Sequence, residues 1–149
     1  MAAAQEYTVR KLEAGDFDKG FLQVLGHLTT VGDVSREVFE EQMRRRDASG
    51  AYHTVVIEDQ GRVVATASMV VELKFIHGCS KVGHIEDVVV HPGMRGKRLG
   101  LMLVEALIEA ARADGCYKVI LDCAESNQAF YEKAGLQRKE VQMVRYLDR

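Results

Sequence analysis

One stretch of this 149-residue chain joins a strand, a glycine-rich basic turn and an apolar helix, and it constrains the fold more than any other stretch. The run GHIEDVVV at residues 83–90 has the β-branched composition of a strand. The following HPGMRGKRLG, residues 91–100, contains the only proline of the chain and three glycines. In residues 97–114 apolar side chains recur every three or four positions, which predicts a helix that Gly115 ends.

Shorter patterns predict the remaining elements. Strands are predicted over residues 7–12, 53–58, 63–73, 117–123 and 141–147, and helices near residues 17–28, 35–47 and 126–134. The turn DQGR makes the second and third of these strands an antiparallel hairpin. Because strands both precede and follow helices, the sequence predicts one α/β (α+β) domain, residues 1–149, around a mixed sheet.

Composition excludes several classes of protein. A net charge of -2 and a pI near 6.2 give no basis for a general nucleic-acid or membrane-surface partner. The apolar runs are shorter than a bilayer span, and the first residues contain no secretory h-region. Three cysteines in no metal-ligand spacing predict free thiols, a reducing compartment and no metal site. Arg44, Arg45 and Arg46 are expected to form the solvated last turn of their helix.

The basic turn before the long helix has the features of an anion site. Free backbone N–H groups at a helix start attract anions, and Arg95, Lys97 and Arg98 add charged donors. A basic loop with an ordinary glycine turn is an equally good interpretation of these residues alone. The spacings of the Walker loop and of the dinucleotide fingerprint are both absent, so neither common nucleotide motif accounts for the anion.

The segment IEDVVVHPGMRGKRLG resembles the cofactor motif of the GCN5-related N-acetyltransferases (GNAT), whose signature is roughly [RQ]-x-x-G-x-[GA]. Arg95 and Gly100 match its ends, and Arg98 stands where the first signature glycine is expected. The segments LTTVG, GHIEDVVV, RGKRLG, GCYKVILDC and FYEKAG also follow the order and spacing of family members that acetylate glucosamine 6-phosphate. The resemblance implies the GNAT fold, a mixed central sheet with helices on both faces.

The resemblance implies acetyl-CoA as co-substrate, with its pyrophosphate held at the helix start. The implied cofactor-binding residues are Val88, Val89, Val90, Arg95, Gly96, Lys97, Arg98, Leu99, Gly100, Asn127 and Tyr131. The Arg98 side chain must either point away from the cofactor or reach over it to a phosphate. Asn127 fits a contact to the pantetheine arm and a helix cap equally well.

The implied reaction is direct attack of the amine on the thioester, which needs no protein nucleophile. The implied catalytic residues are Glu86, Asp122 and Tyr131. Tyr131 would donate to the leaving thiolate, although its place beside Phe130 also suits a core residue. Glu86 is a substrate ligand and a water-mediated base, or else part of a solvated pair with its neighbour. Asp122 would orient the amine through its carboxylate or its main-chain carbonyl.

The family also implies how the sugar phosphate is held. The implied substrate-binding residues are Thr29, Lys74, Phe75, Ile76, His77, Glu86, Asp87, Val88, Tyr117, Lys118, Asp122 and Arg145. The Val88 N–H is the candidate for polarising the acetyl oxygen. A homodimer is expected in which the C-terminal strands exchange and Arg145 reaches the phosphate site of the partner subunit.

The activity expected from the resemblance is acetylation of glucosamine 6-phosphate in the cytoplasmic route to UDP-N-acetylglucosamine. The alternatives are a GNAT enzyme for another small amine or a protein N-terminus, and a non-catalytic acyl-CoA-binding module. A cysteine nucleophile is disfavoured, because Cys123 is expected inside an apolar strand, where thiols are usually inert. His84 is expected to be a packed strand residue.

Overall fold

A long β-hairpin forms the centre of the sheet in the computed structural model, which describes residues 3–148. The five strands are β1 (Val9–Lys11), β2 (Tyr52–Asp59), β3 (Arg62–Leu73), β4 (Lys81–Val90) and β5 (Cys116–Ile120). Gln60 and Gly61 join β2 to β3 with positive φ at both positions, as tight hairpin turns require. The spatial order is β1-β2-β3-β4-β5, with β4 and β5 parallel and the other neighbours antiparallel. The mixed sheet is therefore confirmed.

The helices connect these strands. They are α1 (Phe21–Leu25), α2 (Arg36–Ser49), α3 (Ile76–Cys79), α4 (Leu99–Ala113) and α5 (Gln128–Glu132), with 3-10 turns at Ala14–Lys19, Pro92–Met94 and Glu125–Asn127. The single helix predicted over residues 17–28 is wrong. Gly20, at φ 85°, divides it into a 3-10 turn and the short α1, because this left-handed conformation interrupts a right-handed helix.

Each face of the sheet carries its own apolar core. Ile57, Met69 and Ile85 pack with residues of α4 on one face. Val56 and Val89 pack with residues of α1 and α2 on the other. Adjacent residues of a strand point to opposite faces, and this alternation is what lets the same strands serve two cores. Helices on both faces of the sheet are confirmed.

Arg46, in the last turn of α2, departs from the predicted run of solvated arginines. Arg44 and Arg45 are exposed, as expected. Arg46 is half-buried and donates hydrogen bonds to hydroxyls of the sheet. The prediction for this residue is wrong, because a helix of this length packed on a sheet presents one position in each turn to the strands below.

The C-terminal segment is not a strand of this sheet, although residues 141–147 have the alternating composition of one. Its large side chains are exposed, with Met143 at 89% and Tyr146 at 90% of full exposure. Residues 136–148 are without regular structure, and no strand among residues 3–148 pairs with them. Consequently β5 pairs with β4 along one edge, and its other edge has no strand from the described residues.

The strand predicted over residues 117–123 ends at Ile120, three residues early. Cys123 is therefore exposed beyond the strand end, and the expectation of a buried thiol there is wrong. Cys79, Cys116 and Cys123 are all free thiols, as predicted. Among residues 3–148, none of the helices combines the length and the apolar character needed to cross a bilayer.

Candidate active site

A β-bulge interrupts β4 in the middle of its acidic segment. Thr66 of β3 pairs with Val89, but Ser68 pairs with Glu86, so one residue of β3 lies opposite two residues of β4. Asp87 takes a left-handed φ of 52° at this point. Neither Asp87 nor Val88 has a paired residue in the registers with β3 and β5. Both residues therefore lie outside the regular register of the ladder, at the point where the strand is bulged.

The bulge also changes which face each side chain meets. Val88 packs against the α4 core, as Ile85 does three residues earlier. Simple alternation would place these two residues on opposite faces. Adjacent residues of a regular strand point to opposite faces, but this rule does not apply to Glu86 and Asp87, because Asp87 lies in the bulge.

The pairing of β4 with β5 ends two residues before Glu86 and the bulge. Their pairing runs from Lys81 with Cys116 to His84 with Ile120, and β4 then continues to Val90 without β5. A gap bounded by two strands that were neighbours leaves backbone groups and side chains of both open to a ligand. The acidic residues stand at this gap, Glu86 on β4 and Asp122 just after β5.

Glu86 and Asp122 lie close enough to influence one another. Partial desolvation raises the pKa of Glu86 above its ordinary value, and the charges of Asp87 and Asp122 raise it further, while His84 acts in the opposite direction. A carboxylate with a raised pKa is a better proton acceptor. This arrangement suits a site that binds an amine and takes up its proton.

Tyr131, on α5, shares a cavity with Asp122. The cavity has a volume of about 720 Å³, and Lys118 and Cys123 also line it. The Tyr131 ring packs edge-on against Phe130 at a centroid distance of 4.9 Å. Burial raises the pKa of Tyr131, and Cys123 raises it further, so the hydroxyl stays protonated and can donate a hydrogen bond.

The glycine-rich turn forms a cradle of backbone at the start of α4. Gly96 (φ 82°) and Arg98 (φ 64°) both have left-handed backbone conformations, and Arg98 is the N-cap of the helix. Arg98 therefore adopts the conformation of the glycine that the signature places there. Arg95, Lys97 and Arg98 are exposed, whereas Leu99 is buried in the α4 core. The cradle offers main-chain donors and three mobile cations to an anion.

Gly100, the last signature residue, is held by packing against α5. A Cβ atom at this position would lie 2.9 Å from Cζ of Phe130 and 3.6 Å from Cγ2 of Val90. The glycine therefore allows α4, β4 and α5 to approach one another closely. It couples the cradle to the helix that carries Tyr131.

Sequence reasoning missed Tyr7 beside the cradle. A cavity of about 690 Å³ is lined by Tyr7, Lys97 and Arg98 together with residues of α4. The Lys97 Nζ lies 3.4 Å from the Tyr7 hydroxyl. No motif marks Tyr7, because its place here depends on the N-terminal segment folding back over α4.

Only some of the residues predicted to contact the sugar phosphate lie near one another. The His77 ring lies 4.5 Å from the Tyr117 ring, and the Lys118 Nζ lies 5.4 Å over the same ring. Lys74 forms an ion pair with Glu72 at 3.3 Å. The loop before β4 and the start of β5 thus meet at one edge of the sheet.

Four further predicted substrate contacts are exposed to solvent. Phe75 and Ile76 are exposed, Phe75 at 93%. Thr29 is exposed after α1, and Arg145 lies in the exposed C-terminal segment. Asn127 occupies the N-cap position of α5, but its side chain forms no capping hydrogen bond, so the cap interpretation is wrong.

Comparisons with known proteins agree with this geometry. The profile of the Acetyltransferase (GNAT) family matches residues 21–136, which is most of the chain. The chain belongs to the GNAT acetyltransferase family. The bulged β4 and the glycine-rich turn before α4 both lie within the matched residues.

Relatives of this GNAT chain are similar along almost its whole length. Glucosamine 6-phosphate N-acetyltransferase of Arabidopsis thaliana is 45% identical over 148 residues, covering 97% of this chain and 99% of the relative. The Candida albicans protein of the same name is 47% identical over 146 residues, 97% and 98% of the two chains. The crystal structure of the Arabidopsis enzyme superimposes with a TM-score of 0.94 at 44% identity, covering 97% of this chain and all of that one.

Proposed function

We propose that this protein transfers the acetyl group of acetyl-CoA to the amine of D-glucosamine 6-phosphate, giving N-acetyl-D-glucosamine 6-phosphate and CoA. The observation that carries the proposal is the near full-length similarity to two glucosamine 6-phosphate N-acetyltransferases. The acidic gap between β4 and β5 and the cationic edge beside it supply the groups this reaction needs. The reaction would serve the cytoplasmic synthesis of UDP-N-acetylglucosamine.

Each residue at the gap has a separate role in the proposed reaction. Asp122 orients the attacking amine, and Glu86 accepts its proton directly or through a water molecule. The Val88 N–H, in the bulge, polarises the acetyl carbonyl. Tyr131 donates its hydroxyl proton in a hydrogen bond to the departing thiolate. Since the amine attacks the thioester directly, Cys123 needs no covalent role.

The start of α4 fits the pyrophosphate of acetyl-CoA. Gly96 and Arg98 have left-handed backbone at the N-terminus of α4, where the first main-chain N–H groups have no partner within the helix. Arg95 and Lys97 are exposed beside it and supply positive charge. The rest of the cofactor contacts, Val88 to Val90 on β4 and Asn127 and Tyr131 near α5, line the path between cradle and gap.

The phosphate of the sugar requires cations at the other end of the substrate. Lys118 combines a place in the cavity of Asp122 and Tyr131 with a place beside the Tyr117 ring. Lys74 and His77 lie on the loop that meets the same ring. These three residues are the proposed phosphate contacts within one subunit, and Phe75, Ile76 and Thr29 complete the sugar site.

A homodimer with exchanged C-terminal strands completes the site. The free edge of β5 and the exposed apolar segment from Val141 to Leu147 are each unpaired within the described residues. An exposed strand edge and a free apolar segment of strand-like sequence are complementary surfaces. In the exchanged pair, Arg145 of one subunit would reach the phosphate site of the other.

Thiol release from acetyl-CoA tests the proposal against a panel of amines: glucosamine 6-phosphate, glucosamine, spermidine and a peptide with a free N-terminus. Glucosamine 6-phosphate should give the highest kcat/KM. Lys118→Met should raise the KM for the phosphorylated sugar more than the KM for plain glucosamine, and the exposed Lys133→Met is the matched control. Equal use of both sugars would contradict the proposal, and thermal stabilisation by acetyl-CoA without thiol release would indicate a binding module.

A further inference from the structure

Arg46 is a half-buried cation on the face of the sheet that carries Glu86. Its guanidinium donates to Thr54 Oγ1 at 2.8 Å and to Ser68 Oγ at 3.3 Å. It also lies 4.8 Å from the centroid of the Tyr52 ring. Three contacts from two strands fix the position of this long side chain, unlike that of its exposed neighbour Arg45.

Ser68 connects Arg46 to the bulge. It is the residue of β3 that pairs with Glu86, at the point where the register shifts. Its hydroxyl also lies 2.8 Å from that of Thr54, so the two hydroxyls and the guanidinium form one polar cluster. Directly paired residues of antiparallel strands present their side chains on the same face, so the cluster and Glu86 share that face.

The charge of Arg46 is not neutralised by its hydrogen bonds, because both acceptors are uncharged hydroxyls. Burial lowers the pKa of its guanidinium, whereas the charges of Tyr52, Asp87 and Asp47 act in the opposite direction. A cation held partly out of water without a close carboxylate costs free energy. Asp87, one of these charges, is the extra residue of the bulge, so Arg46 lies within electrostatic range of the bulge.

We infer that Arg46 is a positioning residue of the active site, whose fixed charge stabilises the ionised carboxylates of the β4 bulge and whose hydrogen bond holds Ser68 opposite Glu86. The inference rests on the proposed function only in assuming that these carboxylates act in acetyl transfer. Arg46 touches neither substrate nor cofactor in this role. It acts through Asp87 and Ser68.

The consequence is a change in the pH dependence of the enzyme when the charge is removed. The titratable groups around the bulge are Glu86, Asp87 and His84 on β4, Asp122 after β5, and Asp47 and Tyr52 beside Arg46. A lost cation disfavours the ionised carboxylates, so the acid limb of kcat/KM should move to higher pH. At an effective dielectric constant between water and protein, the shift is about 0.5 to 1 pH unit, or about three- to tenfold in rate on the acid side.

Arg46→Met, Arg46→Lys and the control Arg45→Met test the inference in the intact protein. The acid limb of thiol release should move to higher pH in Arg46→Met, stay near the wild-type position in Arg46→Lys, and not change in Arg45→Met. Urea unfolding of each variant separates this effect from stability. A destabilised Arg46→Met with an unshifted acid limb would show a merely structural arginine, and an equal shift in Arg46→Lys would rule out the role of charge.

Carbon-13 NMR titration of the aspartate and glutamate carboxylates gives a readout that does not depend on activity. At least one bulge carboxylate should titrate at higher pH in Arg46→Met than in the wild type. If Arg46→Met does not fold, Arg46→Gln gives the same comparison with a polar side chain. An unchanged titration refutes the inference, whereas a wild type inactive on glucosamine 6-phosphate with a shifted titration refutes only the proposed substrate.

Discussion

Replacing Gly100 by alanine should damage the protein through packing against α5 rather than through the cofactor. The added Cβ would lie 2.9 Å from Cζ and 3.4 Å from Cε2 of Phe130. Ordinary carbon contacts are about 3.5–4.0 Å, so the ring must retreat by roughly 0.6 Å. Overpacking of this kind costs about 1–3 kcal/mol, and the better helix propensity of alanine offsets up to about 1 kcal/mol. The net loss should be about 1–2 kcal/mol, or about 2–8 °C in Tm.

Urea unfolding and acetyl-CoA titration of Gly100→Ala, Phe130→Leu and the double variant measure this effect. The smaller, flexible leucine makes room for the new methyl group, so the double variant should be more stable than the sum of the single changes implies. The Kd for acetyl-CoA should change by less than about threefold, while kcat falls because Tyr131 packs on the displaced ring. Additive losses, or lost acetyl-CoA affinity at unchanged stability, would refute the packing account of this glycine.

Three further changes test separate parts of the site. Tyr131→Phe should lower kcat about 10- to 150-fold while acetyl-CoA binding is retained, since a hydrogen bond to a charged group contributes about 1.5–3 kcal/mol. Stopped-flow measurement of thiol release checks this prediction. Equal losses in kcat and in acetyl-CoA affinity would indicate that the tyrosine has only a structural role. Arg98→Gly should raise the free energy of unfolding in urea by up to about 1 kcal/mol, because glycine adopts the left-handed φ without strain, although at an entropic cost. The same change should weaken acetyl-CoA binding about three- to tenfold, because a positive charge is lost. An unchanged free energy of unfolding would contradict the idea that Arg98 is strained. In the wild type, kcat/KM should fall as pH falls through the raised pKa of Glu86, above the ordinary 4.5 of a glutamate, and a Glu86→Gln variant with the same acid limb would exclude Glu86 as its source.

The sequence predicts helices and strands well where their apolar faces and strand edges find partners within the same chain. The hairpin of β2 and β3 and the amphipathic α4 have periodic apolar residues and clear turn signals, and both form as expected. The segment over residues 141–147 has a strand pattern of the same kind, yet it stays unpaired. Apolar residues at every second position show that a strand formed here would have an apolar face. Pairing also needs the edge of a neighbouring strand, and none of the described residues brings such an edge to this segment.

The sequence predicts a set of candidate site residues, but it does not predict the geometry in which they are arranged. Glu86 and Asp122 are conspicuous as carboxylates in apolar surroundings, and the structure places them across one gap. The bulge at Asp87 depends on a register shift against Ser68, which no local pattern reveals. Arg46 was misjudged for a related reason. In a run of three arginines, only the helix phase relative to the sheet decides which one turns inward.

The fate of a labelled acetyl group tests the central proposal most directly. The protein is first incubated with acetyl-CoA that is isotopically labelled in the acetyl group. Glucosamine 6-phosphate is then added for a single turnover, and the protein before addition and the products after it are examined by mass spectrometry. The label should appear on the nitrogen of N-acetylglucosamine 6-phosphate in a one-to-one ratio with free CoA, and the protein should carry none before the sugar is added. Label on Cys123 before sugar addition would contradict direct attack, and release of CoA without labelled amino sugar would contradict the proposed function itself.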